Sequence, residues 1–192
     1  MPGYILGMAG DTIQGFIKYD YPVIMQKRIS FYAEADRSDP VMYSPENIWG
    51  YFVAGKKWIS TNVIMETYNG PYSFRRFGIL ESDFGALMLL RIFNEGDKLK
   101  KNINSTEAEK ELKNIKLNYP DHSLDQLYIK KTDGDAELLT SKAFRKSFLS
   151  KMKVYIGDDK ELMKKIRNKD YTFKDIYEIT PEYNQWYRSG DQ

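Results

Sequence analysis

Hydrophobic and polar positions alternate with period two along much of the chain up to Thr140, and from Ser141 the period changes to 3.6. The first stretch, Gly3 to Tyr19 (GYILGMAGDTIQGFIKY), reads as two extended arms joined at Gly10-Asp11. Gly reaches φ > 0 without a Cβ clash, and Gly before Asp suits a tight hairpin turn. Folding the arms there pairs Met8 with Ile13, Leu6 with Gly15 and Tyr4 with Ile17, which alternation places on one covered face. Tyr21-Pro22 then breaks the ladder. Lys27 to Ala33 sets Ile29, Phe31 and Ala33 against Arg28, Ser30 and Tyr32, a half-buried strand.

Glu34 to Pro40 is a polar loop, Val41 to Tyr43 a short strand, and Ser44-Pro45-Glu46-Asn47 a helical turn with Ser as N-cap. Trp49 to Val53 and Lys57 to Thr61 flank a hairpin loop at Ala54-Gly55-Lys56, and Val63 to Thr67 reads as a further strand. Tyr68-Asn69-Gly70-Pro71 turns into Ser73 to Leu80. Ala86 to Phe93 is apolar on both parities, which marks a central strand covered on both faces. Within Lys98 to Ser123, Thr106 and Glu109 fit a capping box, so Glu107 to Leu117 is a short charged helix or a solvated loop.

Leu124 to Lys131 and Ala136 to Thr140 are strands joined through Asp133-Gly134. Ser141 caps a helix with Phe144, Phe148, Leu149 and Met152 on its apolar stripe, and Gly157 ends it. Asp158 starts a second helix with Leu162, Met163 and Ile166; Thr172 starts a third with Ile176, Ile179 and Tyr183. Pro181 either kinks that helix or opens a separate turn. Strands followed by helices predict an α+β fold: a strongly curved antiparallel sheet or partly closed barrel, then a bundle of about three short helices. Residues 1–192 read as one domain, mainly β to 140 and helical over 141–192, docking on the sheet through Phe148 and Ile176.

Composition narrows this. With 42% hydrophobic and 29% charged residues the chain is not disordered. A net charge of +2 lacks the concentrated basic face of a nucleic-acid binder. No Cys is present, which excludes disulfides and thiolate chemistry. The most apolar run, Ala86 to Phe93, is interrupted by Arg91 and is far short of the roughly 20 residues a membrane-spanning helix needs. No signal peptide is visible.

The chemistry is sparse. His122, the single histidine, sits beside Asp121 and Ser123 in sequence, which is not how a triad is built from separate elements. Asp11, Asp133 and Asp135 lie in turns, where Asp is common for structural reasons, and they lack calcium-loop spacing. Arg75, Arg76, Tyr68 and Tyr72 gather near one turn; an edge strand protected by charge explains them more simply than an anion or sugar site. Trp49, Tyr51 and Trp58 suit cross-strand packing, with a carbohydrate platform as the other reading, which requires Trp49 or Trp58 exposed on a shared flat face. The lysines from Lys142 to Lys165 suit the solvated side of amphipathic helices, and phosphate-loop motifs are absent. No residue is assigned a catalytic, cofactor-binding or metal-binding role, and no cofactor is implied.

GYILGMAGDTIQGFIKY, VMYSPENIWGYFV, LYIKKTDGDAELLTSKAFRKSFLSKM and IRNKDYTFKDIYEITPEYNQWY follow one another in an order that resembles a family of exported proteins of Bacteroidetes-type bacteria. Pro181 departs from that family's uninterrupted last helix. The resemblance implies the periplasm or cell envelope, against a cytoplasmic alternative, and implies no reaction. The expected function is a non-enzymatic binding or structural module whose partner is a protein or surface polymer. The alternatives are a small carbohydrate-binding domain or a carboxylate-dependent hydrolase.

Overall fold

The computed structural model describes residues 1–35, 39–67, 70–93 and 125–190. The fold is α+β, a curled antiparallel sheet followed by helices. Its strands are β1 (Pro2–Gly7), β2 (Thr12–Ile17), β3 (Ile29–Tyr32), β4 (Val41–Tyr43), β5 (Ile48–Val53), β6 (Lys56–Thr67), β7 (Gly70–Leu80), β8 (Leu87–Phe93), β9 (Asp125–Lys131) and β10 (Glu137–Leu138). Among the described residues these form one sheet in the order β10-β9-β8-β7-β6-β5-β1-β2-β3-β4. The sheet curls into a half-barrel until Ala136, just ahead of β10, meets Val63 of β6 in a parallel bridge. That seam is sealed by Ala136 N–H donating to the Asn62 carbonyl at 2.8 Å and Ile64 N–H donating to the Ala136 carbonyl at 3.3 Å.

The opening hairpin forms in a different register from the expected one. Ile5 faces Ile13, Tyr4 faces Gln14 and Leu6 faces Thr12. Gly10 N–H donates to the Gly7 carbonyl and Gly7 N–H to the Asp11 carbonyl, with Gly10 at φ +87°. This is a three-residue loop closed by a bulge at a left-handed Gly, not a two-residue turn at Gly10-Asp11. The odd shift in register exchanges the faces. The exchange concerns β1 relative to β2: Ile5 is a core residue and Met8 is exposed, whereas Ile17 is buried as expected, and Ile13, opposite Ile5 on the same face, is exposed near the loop.

Val63 to Thr67 is the continuation of β6, not a separate strand. The β5–β6 loop is two residues, Ala54 and Gly55, both at positive φ. Ser44 to Asn47 is a turn, not a helix, closed by Asn47 Oδ1 on the Ser44 hydroxyl and N–H. A one-turn helix, α1 (Pro22–Met25), follows Tyr21-Pro22 and buries Val23 and Met25. The turn residues Tyr68 and Asn69, and the whole of Lys98 to Ser123 with His122 and Glu107 to Leu117, lie outside the described residues.

Strand β8 organises the molecule. Leu87, Met88, Leu89 and Leu90 are fully buried, so both faces are covered as their composition predicts. On the outer face the apolar layer under α1 runs through Ile5, Tyr51, Trp58, Phe77 and Ile79; the layer under the C-terminal helices runs through Leu87, Leu89 and Ile129. The inner face of the curl holds Ile59, Val63, Leu90, Ile92 and Tyr128.

Four helices follow the sheet: α2 (Lys142–Lys146), α3 (Phe148–Ile156), α4 (Lys160–Asn168) and α5 (Ile176–Ser189). Ser141 caps α2, as expected, by accepting from Phe144 N–H. The chain then breaks at Ser147, φ −109°, which resets the helical phase. Phe144 is consequently the fully buried anchor, Phe148 is half-buried between Phe144 and Phe173, and Leu149 is exposed. Asp159, not Asp158, caps α4. The Thr172–Asp175 capping box forms through a 3₁₀ turn that leads into α5. That helix runs through Pro181 without interruption, with Ile176, Ile179 and Tyr183 buried.

Buried amides tie these layers to β8. The Asn184 carboxamide on α5 donates to the Leu87 carbonyl and accepts from Leu87 N–H, each at 2.8 Å. Gly85 makes room for it, since a Cβ there would lie 2.5 Å from Asn184 Cγ. At the other end of β8, Gln26 beside α1 makes the same double bond to Phe93, each at 2.9 Å.

Candidate functional site: a polar cleft at the sheet seam

The seam between β6 and the β9–β10 loop opens into a cleft of about 190 Å³. Ser60, Thr61 and Asn62 of β6, Arg75 of β7, Lys130 of β9 and loop residues Thr132 to Asp135 line it, with Met8 and Trp49 as its apolar wall. The loop is anchored on both sides. Thr132 donates from its hydroxyl to the Gly85 carbonyl and from its N–H to the Ala86 carbonyl, each at 3.1 Å. Ala136 holds the other end to β6. A loop clamped this way presents Asp133 and Asp135 from a rigid base, although both carboxylates are exposed.

Trp49 reaches the cleft through a bulge. In the β1–β5 ladder Leu6 faces Gly50 and Gly7 faces Ile48, so Trp49 is the extra residue. Such a bulge re-aims a side chain that regular alternation would send elsewhere. Trp49 is 38% exposed and meets Phe84 edge-on, while Trp58 is 1% exposed and stacks on Tyr51 at 5.3 Å. The cross-strand packing expected of three aromatics therefore holds for Tyr51 and Trp58 alone, and no shared flat platform forms.

Lys130 is the unusual member. Its relative exposure is 7%, and among the described residues its ammonium has no hydrogen-bond or ion-pair partner. Burial lowers its pKa from the ordinary lysine range; the carboxylates of Asp135 and Asp133 oppose this at longer range, and Arg75 adds to it. Neighbouring polar groups are already engaged. Arg75 Nε donates to Asn62 Oδ1 at 3.1 Å, the Thr61 hydroxyl to the Asn62 carbonyl and the Ser60 hydroxyl to the Pro45 carbonyl. These bonds fix the floor, and Lys130 and Arg75 line the cleft above it.

The arginine–tyrosine cluster is dispersed. Arg75 belongs to the cleft, whereas Arg76 lies over the Phe74 ring at 4.6 Å and Tyr72 is exposed beside Phe74. In the described ladders β7 meets β8 only at Ile79 and Leu80, so its Arg75–Arg76 stretch pairs with β6 alone, and charge protection of an open strand edge still accounts for Arg76. Asp11 lies over Gly7 in the hairpin loop and is not part of the cleft lining. Those two carboxylates come from one short loop, whereas a glycosidase pair flanks its substrate from two sides. No group of three or more metal-ligating side chains is found among the described residues.

A larger groove of about 510 Å³ lies among α2, α3 and α4, lined by Lys146, Lys153 and Arg167 with Leu149 and Met163. All three cations there are exposed, as the solvated side of a helix layer would be. Size favours the groove; the convergence of Arg75, a desolvated Lys130 and the loop carboxylates favours the cleft, since a few convergent polar groups mark a ligand site.

Sequence reasoning missed Lys130 because the apolar centre of β9, Leu127 to Ile129, shows no single buried parity, and Lys130-Lys131 reads as a strand leaving for solvent. Its one signal was parity with the buried Tyr128.

Fold and site together define a class: an α+β protein built on a half-barrel sheet, with a polar cleft at the seam. Comparison with protein-family models, curated proteins and solved structures gave no match to the chain. No helix among the described residues is long and apolar enough to cross a membrane.

Proposed function

We propose that the protein is a binding module that takes a small ligand in the seam cleft, holding an anionic group of that ligand against Lys130 and Arg75. The observation that carries this is Lys130, a side chain largely withdrawn from solvent whose ammonium opens into the cleft with no hydrogen-bond or ion-pair partner among the described residues. Partial desolvation of the side chain lowers its pKa, and a ligand anion in the cleft would favour the charged form. A setting in the cell envelope, with a protein or surface polymer as source of the ligand, rests on the sequence resemblance alone. Trp49 supports a second reading, a neutral sugar laid against the indole.

The test is a titration of ¹⁵N-labelled protein with small carboxylates, phosphate monoesters and neutral hexoses, followed at the amides of residues 60–62 and 129–136. Saturable shifts from anionic probes, lost in Lys130→Met, are expected. Shifts from hexoses alone would replace this reading with the sugar reading, and no saturable shift from any probe would overturn both.

A further inference from the structure

The formal charges of the cleft cancel: Lys130 and Arg75 on the β-strands face Asp133 and Asp135 on the loop. A simple anion gains at the cationic wall and is repelled by the loop; a simple cation suffers the reverse. A ligand carrying both charges gains at both walls, and electrostatic complementarity of this kind sets specificity. We infer that the ligand is a small zwitterion, an α-amino acid with an apolar side chain, its carboxylate on Lys130 and Arg75 and its ammonium on Asp133 and Asp135. This rests on the binding reading above.

Size and lining support the assignment. A volume of about 190 Å³ is below the roughly 300–1,000 Å³ of sites for drug-sized ligands, so it suits a molecule of amino-acid size. Met8 and Trp49 offer an apolar wall for the side chain, and both are exposed enough to be covered. The exposed carboxylates of Asp133 and Asp135 stand where the ligand enters, while Lys130 lies deeper, which orders the two charged ends. The paired amide bonds that hold the loop at Ala136 and Thr132 keep the two walls at a set separation.

The experiment compares L-leucine, N-acetyl-L-leucine, L-leucinamide and acetate by isothermal titration and by amide shifts at the cleft. Leucine should bind most tightly, and blocking either end should weaken binding by about tenfold or more, as loss of one charge-assisted contact implies. Lys130→Met should weaken leucine while leaving leucinamide unchanged. Asp133→Asn with Asp135→Asn should weaken leucine while leaving N-acetyl-leucine unchanged; both aspartates are exposed, so this variant is expected to fold. Equal binding of N-acetyl-leucine and leucine would overturn the zwitterion and leave the anion site standing. Equal binding of leucinamide and leucine, or no binding of any probe together with silence in the anion titration, would overturn both.

Discussion

Gln26, Asn184 and Lys130 are all withdrawn from solvent, the two amides completely and the lysine to 7% exposure, yet the fold treats them differently. Each amide satisfies one residue of β8 at both its N–H and its carbonyl, closing the strand against α1 at one end and α5 at the other. The ammonium of Lys130 satisfies nothing among the described residues. Buried polar groups that are fully paired specify a structure, and those left unpaired weaken it unless something outside the fold completes them. The amides therefore belong to the architecture, and the lysine is the group that the proposed ligand would complete.

The comparison is most severely tested where helices and sheet share one apolar layer. Phe144 is fully buried in the cluster that contains Leu87, Leu89 and Ile129 of the sheet with Ile156, Ile179 and Tyr183 of the helices. Phe144→Ala is expected to lower stability by about 3–5 kcal/mol. Sheet and helices should unfold in a single transition at lower denaturant, monitored by far-UV and near-UV circular dichroism. Helix loss while the β signal persists would show that the amide clamps do not couple the layers.

Next in size are the clamps themselves. Asn184→Leu leaves the Leu87 N–H and carbonyl without partners in the interior, a loss of about 2–4 kcal/mol from unmet hydrogen bonding. Gln26→Leu should cost about 1–3 kcal/mol, because Phe93 is only partly buried. Urea midpoints measure both, and the predicted order is Asn184→Leu below Gln26→Leu. A reversed order would place the stronger clamp at α1.

The smallest effect is in pH. Hydrogen bonds from the Thr172 side chain and N–H hold the Asp175 carboxyl below its usual range. Partial burial pushes the Glu182 carboxyl up, but hydrogen bonds from Lys165 and Tyr171 outweigh it and leave the pKa lowered. Both groups have folded pKa values below the unfolded ones. Their stabilisation is complete above the ordinary carboxylate range and is lost as pH falls through the folded values. Melting temperature should be flat from about pH 7 to 5 and decline below about pH 4. Glu182→Gln should make that decline shallower, and an unchanged slope would remove Glu182 from the account.

Much of the fold was legible because it depends on local pattern. Alternation found Ile29 and Phe31, double parity found β8, and the Thr172–Asp175 spacing found the start of α5. The hairpin register was not, since a Gly-containing loop of two residues and one of three with a bulge share the same letters at Gly10-Asp11. The break at Ser147 escaped for a similar reason: Phe144, Phe148 and Met152 keep helical spacing across it. The clamps and the cleft could not be read at all. Gln26 lies 67 residues from Phe93, Asn184 lies 97 from Leu87, and Lys130 becomes unusual only once the sheet has curled. Asp133 and Asp135 were noticed as turn residues, and their role in the cleft appears only when Ala136 bridges to Val63.

The most direct measurement compares the denaturation midpoint of Lys130→Met with that of the unaltered protein in ligand-free buffer. Met keeps the length of the side chain and removes its charge. If Lys130 is kept for a ligand, the variant should be more stable by about 1 kcal/mol, because a partly desolvated ammonium without a hydrogen-bond partner opposes folding. A fall in midpoint comparable to that of Gln26→Leu would show that Lys130 holds the fold together, and the seam cleft would lose its claim to be a binding site.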